Sequence, residues 1–225
     1  MSIFRDKFGF PTDCTSDGGD SAMRAGVLGT FMDDPITPTG LYSIGWGTLV
    51  RHPKDVPWDN PKNFTRDQMM CLVSALKPQF VKAVFWSRVK AFCFAQNTER
   101  DYLGTTKYPW PHHYIDDRGV RQFTWFDFAD PLFPHHMGHI ARCTKSVWYL
   151  PAFWLGLPFL LAACYFNKGG EQNQLQCMVY RAGPWWVKFY KKHRPNWDWF
   201  TFRYWSDRSE VEYADAIVAA FKKEG

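Results

Sequence analysis

Two aspartates, Asp20 and Asp67, lie where loops rich in polar residues lead into helical patterns. Asp20 follows the glycine pair at 18–19, and Asp67 lies between Thr65 and Gln68, which have the spacing of a capping box at a helix start. Two carboxylates held across a glycosidic bond can act as proton donor and proton acceptor. The pattern therefore predicts a catalytic pair; the alternative is that both aspartates only cap helices and hold the loops.

Cationic and aromatic residues near these aspartates in the sequence predict a binding surface for an acidic sugar or a phosphate. Arginine side chains can hold carboxylates and phosphates through two parallel hydrogen bonds. Tryptophan and tyrosine rings in the long loops can stack on sugar faces. In the alternative interpretation, the arginines pair with the aspartates. The predicted binding residues are Arg24, Arg51, His52, Arg66 and Trp110.

A second group of residues has the types and spacing of zinc ligands. His135, His139 and Cys143 recur every four residues, which places them on one face of a helix. The motif contains no glutamate, so a metalloprotease is not indicated. The sequence leaves two interpretations open, a zinc site and ordinary histidines at a helix start. No other cofactor is expected, because the chain has no phosphate-binding loop and no dinucleotide fingerprint.

The elements that position these residues are predicted to be mainly α-helical and to form a single domain of 225 residues. A loop-rich part covers 1–64, with one short β-hairpin around Leu41–Val50, and a helical part covers 65–225. The segment 175–180 fits either a strand or a helix. Predicted helices include Ser21–Met32, one from Pro134 through Arg142, and Ser209–Lys223.

The segment Ser146–Phe166 contains no charged residue. A helix of this length, rising about 1.5 Å per residue, just covers a hydrocarbon core of about 30 Å. Pro151, Gly156 and Pro158 interrupt it, and a central helix of an aromatic-rich domain has the same composition. The segment is therefore either embedded in or apposed to a membrane, or it is a buried helix.

Aromatic and basic residues alternate between Trp185 and Trp205. This pattern is typical of a lipid interface, of stacking on single-stranded nucleic acid, or of a helix with its rings turned inward and its lysines outward. Aromatic residues make up 19% of the chain, more than a core of this size needs, which favours an additional binding or interface role. The net charge of +5 is too small to indicate specific nucleic-acid binding.

Six cysteines are scattered singly, without a C-x-x-C pair, as is typical of the reduced thiols of an intracellular protein. The N-terminal residues lack the apolar core of a signal peptide, so secretion is not expected.

One resemblance rests on five segments: Asp17–Ser21, Arg51–Pro53, Pro57–Gln68, Thr106–His112 and Phe126–Pro131. Together they resemble proteins of tailed bacteriophages that have no established activity, and the likeness covers most of the chain. It implies a phage origin and transfers no catalytic residue. The loop and helix start around Asp67 are also similar to inner-helix starts of α/α-toroid carbohydrate enzymes, although 225 residues is short for a full toroid.

The sequence thus predicts a phage protein that binds or cleaves a bacterial surface or cell-wall glycan through a cleft around Asp20 and Asp67. If it is an enzyme, it is a glycan hydrolase or lyase. The alternative is a non-catalytic virion component or a membrane-associated accessory protein, held by Ser146–Phe166 and by Trp185–Trp205. The expected partners are a bacterial glycan, other virion proteins or a membrane surface, and the expected location is the host cytoplasm or the virion.

Overall fold

The computed structural model of the chain describes residues 3, 5–6, 9–11, 21–32, 34, 66–78, 81, 134–145, 150–166 and 172–224. These residues contain eight helices and no strand, so the prediction of a mainly α fold is confirmed. The helices are α1 (Ser21–Phe31), α2 (Arg66–Ala75), α3 (Pro134–Thr144), α4 (Leu150–Phe166), α5 (Gln172–Ala182), α6 (Pro184–His193), α7 (Trp197–Ser206) and α8 (Val211–Lys223).

The helix boundaries follow the predicted ones closely. The helices predicted from Ser21 and from Pro134 begin at those residues, and the ambiguous segment 175–180 belongs to a helix, α5. The C-terminal helix begins later than predicted because Ser209 has a left-handed backbone conformation, with φ of 57°, which a helix cannot include. The predicted hairpin at Leu41–Val50 lies outside the described residues.

Helices α1 and α2 pack with their backbones in direct contact. The contact occurs at Gly26, where an added Cβ would lie closer than 3.0 Å to backbone atoms of Cys71 and Leu72. Only glycine lets two helices approach so closely, because its side chain is a single hydrogen atom. The same stretch of α2, from Met69 to Val73, is completely buried. This pair therefore forms a tightly packed part of the core.

A second glycine contact joins α3 and α4. A Cβ added at Gly156 would overlap the backbone carbonyl of Pro134 and lie 3.2 Å from the Cα of Gly138. The first turns of α3 are thus held against the middle of α4. This contact decides which face of α4 is turned toward the protein.

Helix α5 lies at the centre and contacts α1, α2, α3 and α6. Its residues from Asn173 to Val179 are all buried, including polar side chains that find partners on other helices. The Gln174 amide lies 2.8 Å from the His136 ring on α3, and the Gln176 amide donates to the Thr201 hydroxyl on α7 at 2.7 Å. These buried hydrogen bonds fix α3 and α7 relative to α5.

The three C-terminal helices share a core of aromatic rings. Trp205 on α7 stacks on Tyr213 of α8, with ring centroids 4.4 Å apart. The Phe221 ring of α8 contacts Trp197 on α7 at 5.0 Å and Tyr190 on α6 at 5.8 Å. Part of the chain's high aromatic content is therefore used inside the protein, where ring pairs add to the energy of burial.

Candidate functional site

Most of the glycan site predicted from the sequence lies outside the part of the chain that the structure describes. The two helices to which the predicted loops lead, α1 and α2, begin at Ser21 and Arg66 and pack directly against each other. The predicted residues outside the described part are Asp20, Arg51, His52 and Trp110, together with the side chains of Arg66 and Asp67.

Arg24, predicted to bind ligand, lies in the interior of the protein. Its side chain is 2% exposed and forms an ion pair with Glu210, at 2.9 Å from Nε to Oε1. The same Nε donates to Oε2 of Glu210 at 3.1 Å. The pair links α1 to the residue that precedes α8, and its position indicates a role in holding the fold rather than in contacting a ligand.

His139 and Cys143 lie side by side on α3, as their spacing predicts, with 3.7 Å between Cys143 Sγ and His139 Nε2. The same nitrogen is 2.8 Å from the hydroxyl of Ser74, which donates to the Met70 carbonyl. Among the described residues, no group of three or more His, Cys, Asp or Glu side chains lies close enough to hold a metal ion. The predicted set with His135 as a third ligand is therefore not found there.

The protonation of this pair also favours a structural role. Burial, reinforced by the positive charges of Arg181 and Arg142, lowers the pKa of His139 to about 3, so the ring is neutral at physiological pH. Burial raises the pKa of the Cys143 thiol to about 12, so the sulfur keeps its proton. Because a nucleophilic cysteine is a thiolate, this raised pKa does not favour Cys143 as a nucleophile.

The most unusual surface of the described residues lies on α4. This helix of 17 residues has no charged side chain, yet one of its faces is open to solvent. The exposed residues recur at helical spacing and form a continuous stripe, here called the apolar face. It consists of Pro151, Trp154, Leu155, Pro158, Phe159, Ala162 and Tyr165.

The opposite side of α4 packs against the protein. Its buried residues, Gly156, Leu160 and Cys164, also recur every four positions, and the first of them makes the close contact with α3. A surface helix normally turns polar residues to solvent, and a helix that is apolar all round is normally covered on every side. Both sides of α4 are apolar, but the described part of the protein covers only the side that packs against α3. Within the described residues, no helix has both the length and the apolar character needed to cross a membrane.

Basic residues adjoin one end of the apolar face. Tyr165 contacts the His193 ring on α6 at a centroid distance of 5.8 Å, and the Arg194 guanidinium donates to the carbonyl of Cys164 at 2.9 Å. That contact satisfies the C-terminal end of α4, where a cation is favoured by the helix dipole. Lys188 and Lys192 on α6 are exposed beside the exposed Trp185. The segment 184–208 carries six Lys or Arg residues against two Asp, a difference of +4.

A shallow pocket of about 190 Å³ lies where the apolar face meets this basic segment. Aromatic rings and the start of α7 form its walls, so it offers apolar surface next to positive charge. Its lining residues include Tyr165, His193, Arg194, Trp197 and Phe200.

Comparison with known proteins finds no protein-family model, no curated protein and no solved structure that matches this chain.

Proposed function

We propose that this chain is a membrane-associated accessory protein of a tailed bacteriophage, and that it lies on the surface of an anionic bilayer through the apolar face of α4. The phage origin is supported by the sequence resemblance described above. The exposed, charge-free stripe on α4 is the single observation that carries the membrane proposal.

The size of the apolar face supports a dedicated partner. Four of its large side chains are half or more exposed: Trp154 by 65%, Leu155 by 70%, Phe159 by 50% and Tyr165 by 59%. Together they present on the order of 500 Å² of surface, and an exposed apolar patch of that size marks an interaction site. Covering it contributes a gross free energy on the order of 10 kcal/mol, from which the costs of association are subtracted.

The residue types suit a lipid surface. Tryptophan and tyrosine are enriched at the boundary between water and hydrocarbon, where the ring is buried and its polar edge stays wet. Because the other side of α4 packs against α3, α4 would lie in the plane of the membrane–water interface. Arg194, which contacts the C-terminal end of α4, would then lie near lipid headgroups, where a cation contributes about 1 kcal/mol on an anionic membrane.

Flotation of the protein with lipid vesicles tests this proposal. We expect recovery with vesicles of phosphatidylcholine and phosphatidylglycerol, weaker recovery with phosphatidylcholine alone, and a marked decrease at about 1 M salt, where the screening length falls to about 3 Å. Equal recovery with neutral and anionic vesicles, or no recovery with either, would contradict it. A concentration-dependent dimer that excludes vesicles would assign the apolar face to a second copy of the chain and overturn the proposal.

We also propose a second candidate function, which is the binding or cleavage of a bacterial glycan at Asp20 and Asp67. One observation favours it: α1 and α2 touch at Gly26 and Cys71, each five residues after the start of its helix. At about 1.5 Å per residue, the two helix starts lie at most about 20 Å apart, which is close enough for one extended glycan to reach both.

Single substitutions test the glycan proposal. Asp20→Asn and Asp67→Asn are each expected to lower the hydrolysis of purified cell-wall glycan by at least 100-fold while leaving the thermal unfolding temperature nearly unchanged, because general acid–base catalysis supplies about 10² to 10⁴ in rate. Asp198→Asn, an exposed position on α7, is the control. Wild-type activity in both variants would remove these aspartates from any catalytic role.

A further inference from the structure

Three helix C-termini meet around a cavity of about 420 Å³. The ends of α2, α3 and α5 form its walls, and the volume falls within the range of about 300–1,000 Å³ that is typical of small-molecule sites. We call it the cationic pocket. It is lined by Ser74, Leu76, Pro78, Arg142, Cys143, Lys145 and Arg181.

The charged side chains among the described lining residues all have the same sign. Arg142, Lys145 and Arg181 line the cavity, and none of the lining residues that the structure describes is acidic. Burial raises the pKa of the Cys143 thiol in the cavity wall, and the positive charges of Arg181 and Arg142 oppose that increase. These three positive charges would attract an anion that enters the cavity.

Two of the three cations are held in place by the backbone. The Nε of Arg181 donates to the carbonyl of Ser74 near the end of α2, and the Nε of Arg142 donates to the carbonyl of Arg181 at the end of α5. These bonds leave each guanidinium in a fixed position at the cavity wall. A fixed cation loses little conformational entropy when a ligand arrives, so the arrangement is preorganised for binding.

Lys145 reaches the cavity through a backbone conformation that lysine rarely adopts. It follows the last residue of α3 with φ of 51°, in the left-handed region where glycine or asparagine is preferred. Capping of helix ends explains the two arginines, since cations are favoured at a helix C-terminus. Capping does not explain an exposed lysine at a position where glycine would fit with less strain, nor a cavity beside it.

We propose that the cationic pocket binds an oxyanion group, a phosphate or a carboxylate, carried on a small molecule of about the size of a sugar. The volume exceeds what a single oxyanion occupies, which leaves room for the uncharged part of such a ligand against Leu76 and Pro78. This site is separate from the apolar face, so it does not depend on the membrane proposal.

Isothermal titration of the full chain tests the inference with four probes: inorganic phosphate, glucose 6-phosphate, glucuronate and glucose. We expect saturable binding of at least one sugar oxyanion and none of glucose. Stronger binding of glucose 6-phosphate would identify phosphate as the recognised group, and stronger binding of glucuronate would identify carboxylate. Equal affinity for glucose, or no saturable binding of any oxyanion at millimolar concentration, would overturn the inference.

Substitutions of Lys145 separate ligand binding from folding. Lys145→Gly and Lys145→Asn both suit the left-handed backbone, so both variants should fold at least as stably as the parent chain. We expect each to weaken oxyanion binding about tenfold or more, and Lys145→Arg to retain most of it. Lys223→Ala, at the exposed end of α8, is the control. Unchanged affinity in both Lys145→Gly and Lys145→Asn would contradict the assignment.

Discussion

Replacing Glu210 with glutamine is expected to lower the free energy of unfolding by about 3–5 kcal/mol, because it removes a buried carboxylate that is ion-paired with the buried Arg24. Arg24 is 1% exposed and Glu210 is 4% exposed, so water cannot take the place of the lost carboxylate. Urea unfolding monitored by circular dichroism measures the change. Glu212→Gln, two residues further along at a half-buried position, is the control and is expected to cost less than 1 kcal/mol.

A double-mutant cycle separates the ion pair from the packing around it. Arg24→Met and Glu210→Leu should each be strongly destabilising, whereas the double variant should regain most of the loss, because two apolar side chains leave no buried charge. Additive losses in the double variant would show that the two side chains act independently. That result would contradict the account of Arg24 as an internal partner of Glu210.

Replacing Gly26 with alanine is expected to destabilise the protein by about 3 kcal/mol, at the upper end of the usual cost of overpacking. The new methyl group would overlap backbone atoms of Cys71 and Leu72, which cannot turn aside as a flexible side chain can. In an exposed helix the same change would stabilise by about 1 kcal/mol, so the expected sign depends entirely on the contact. Urea unfolding again measures the effect.

A second substitution in the same contact tests whether the added methyl group overlaps backbone atoms or side-chain atoms. Because the overlap is with the backbone, shortening the neighbouring side chain by Cys71→Ala should not rescue Gly26→Ala. If the double variant recovered the parent stability, the contact would have to involve the Cys71 side chain instead. If Gly26→Ala alone were as stable as the parent, α1 and α2 could not be in backbone contact.

The sequence predicts local structure in this chain better than it predicts partners. The spacing of His139 and Cys143 correctly places them next to each other, and the prolines at 134 and 184 stand at the starts of α3 and α6. Arg24 lies near Asp20 in the sequence, which predicts a ligand-binding role, but its ion-pair partner, Glu210, lies 186 residues away. No local pattern connects two residues at that separation.

The apolar face and the cationic pocket show the same difference between what the sequence predicts and what it does not. The sequence shows that α4 has no charged residue. It does not show that one face of α4 is exposed, because exposure depends on which helices pack against it. The sequence does not predict the cationic pocket, for a related reason. Lys145 and Arg181 each look like ordinary basic residues at a helix end, and only packing brings them around one cavity with Ser74.

The most direct test of the membrane proposal compares two variants in the same vesicle flotation assay. Trp154→Ser combined with Leu155→Ser removes the two most exposed large hydrophobic side chains of the apolar face, and Val211→Ser removes an exposed apolar side chain on α8. We expect the fraction bound to anionic vesicles to fall at least tenfold for the double variant and to stay unchanged for Val211→Ser. A folded double variant that floats as well as the parent chain would contradict the proposal that α4 is the membrane-binding surface.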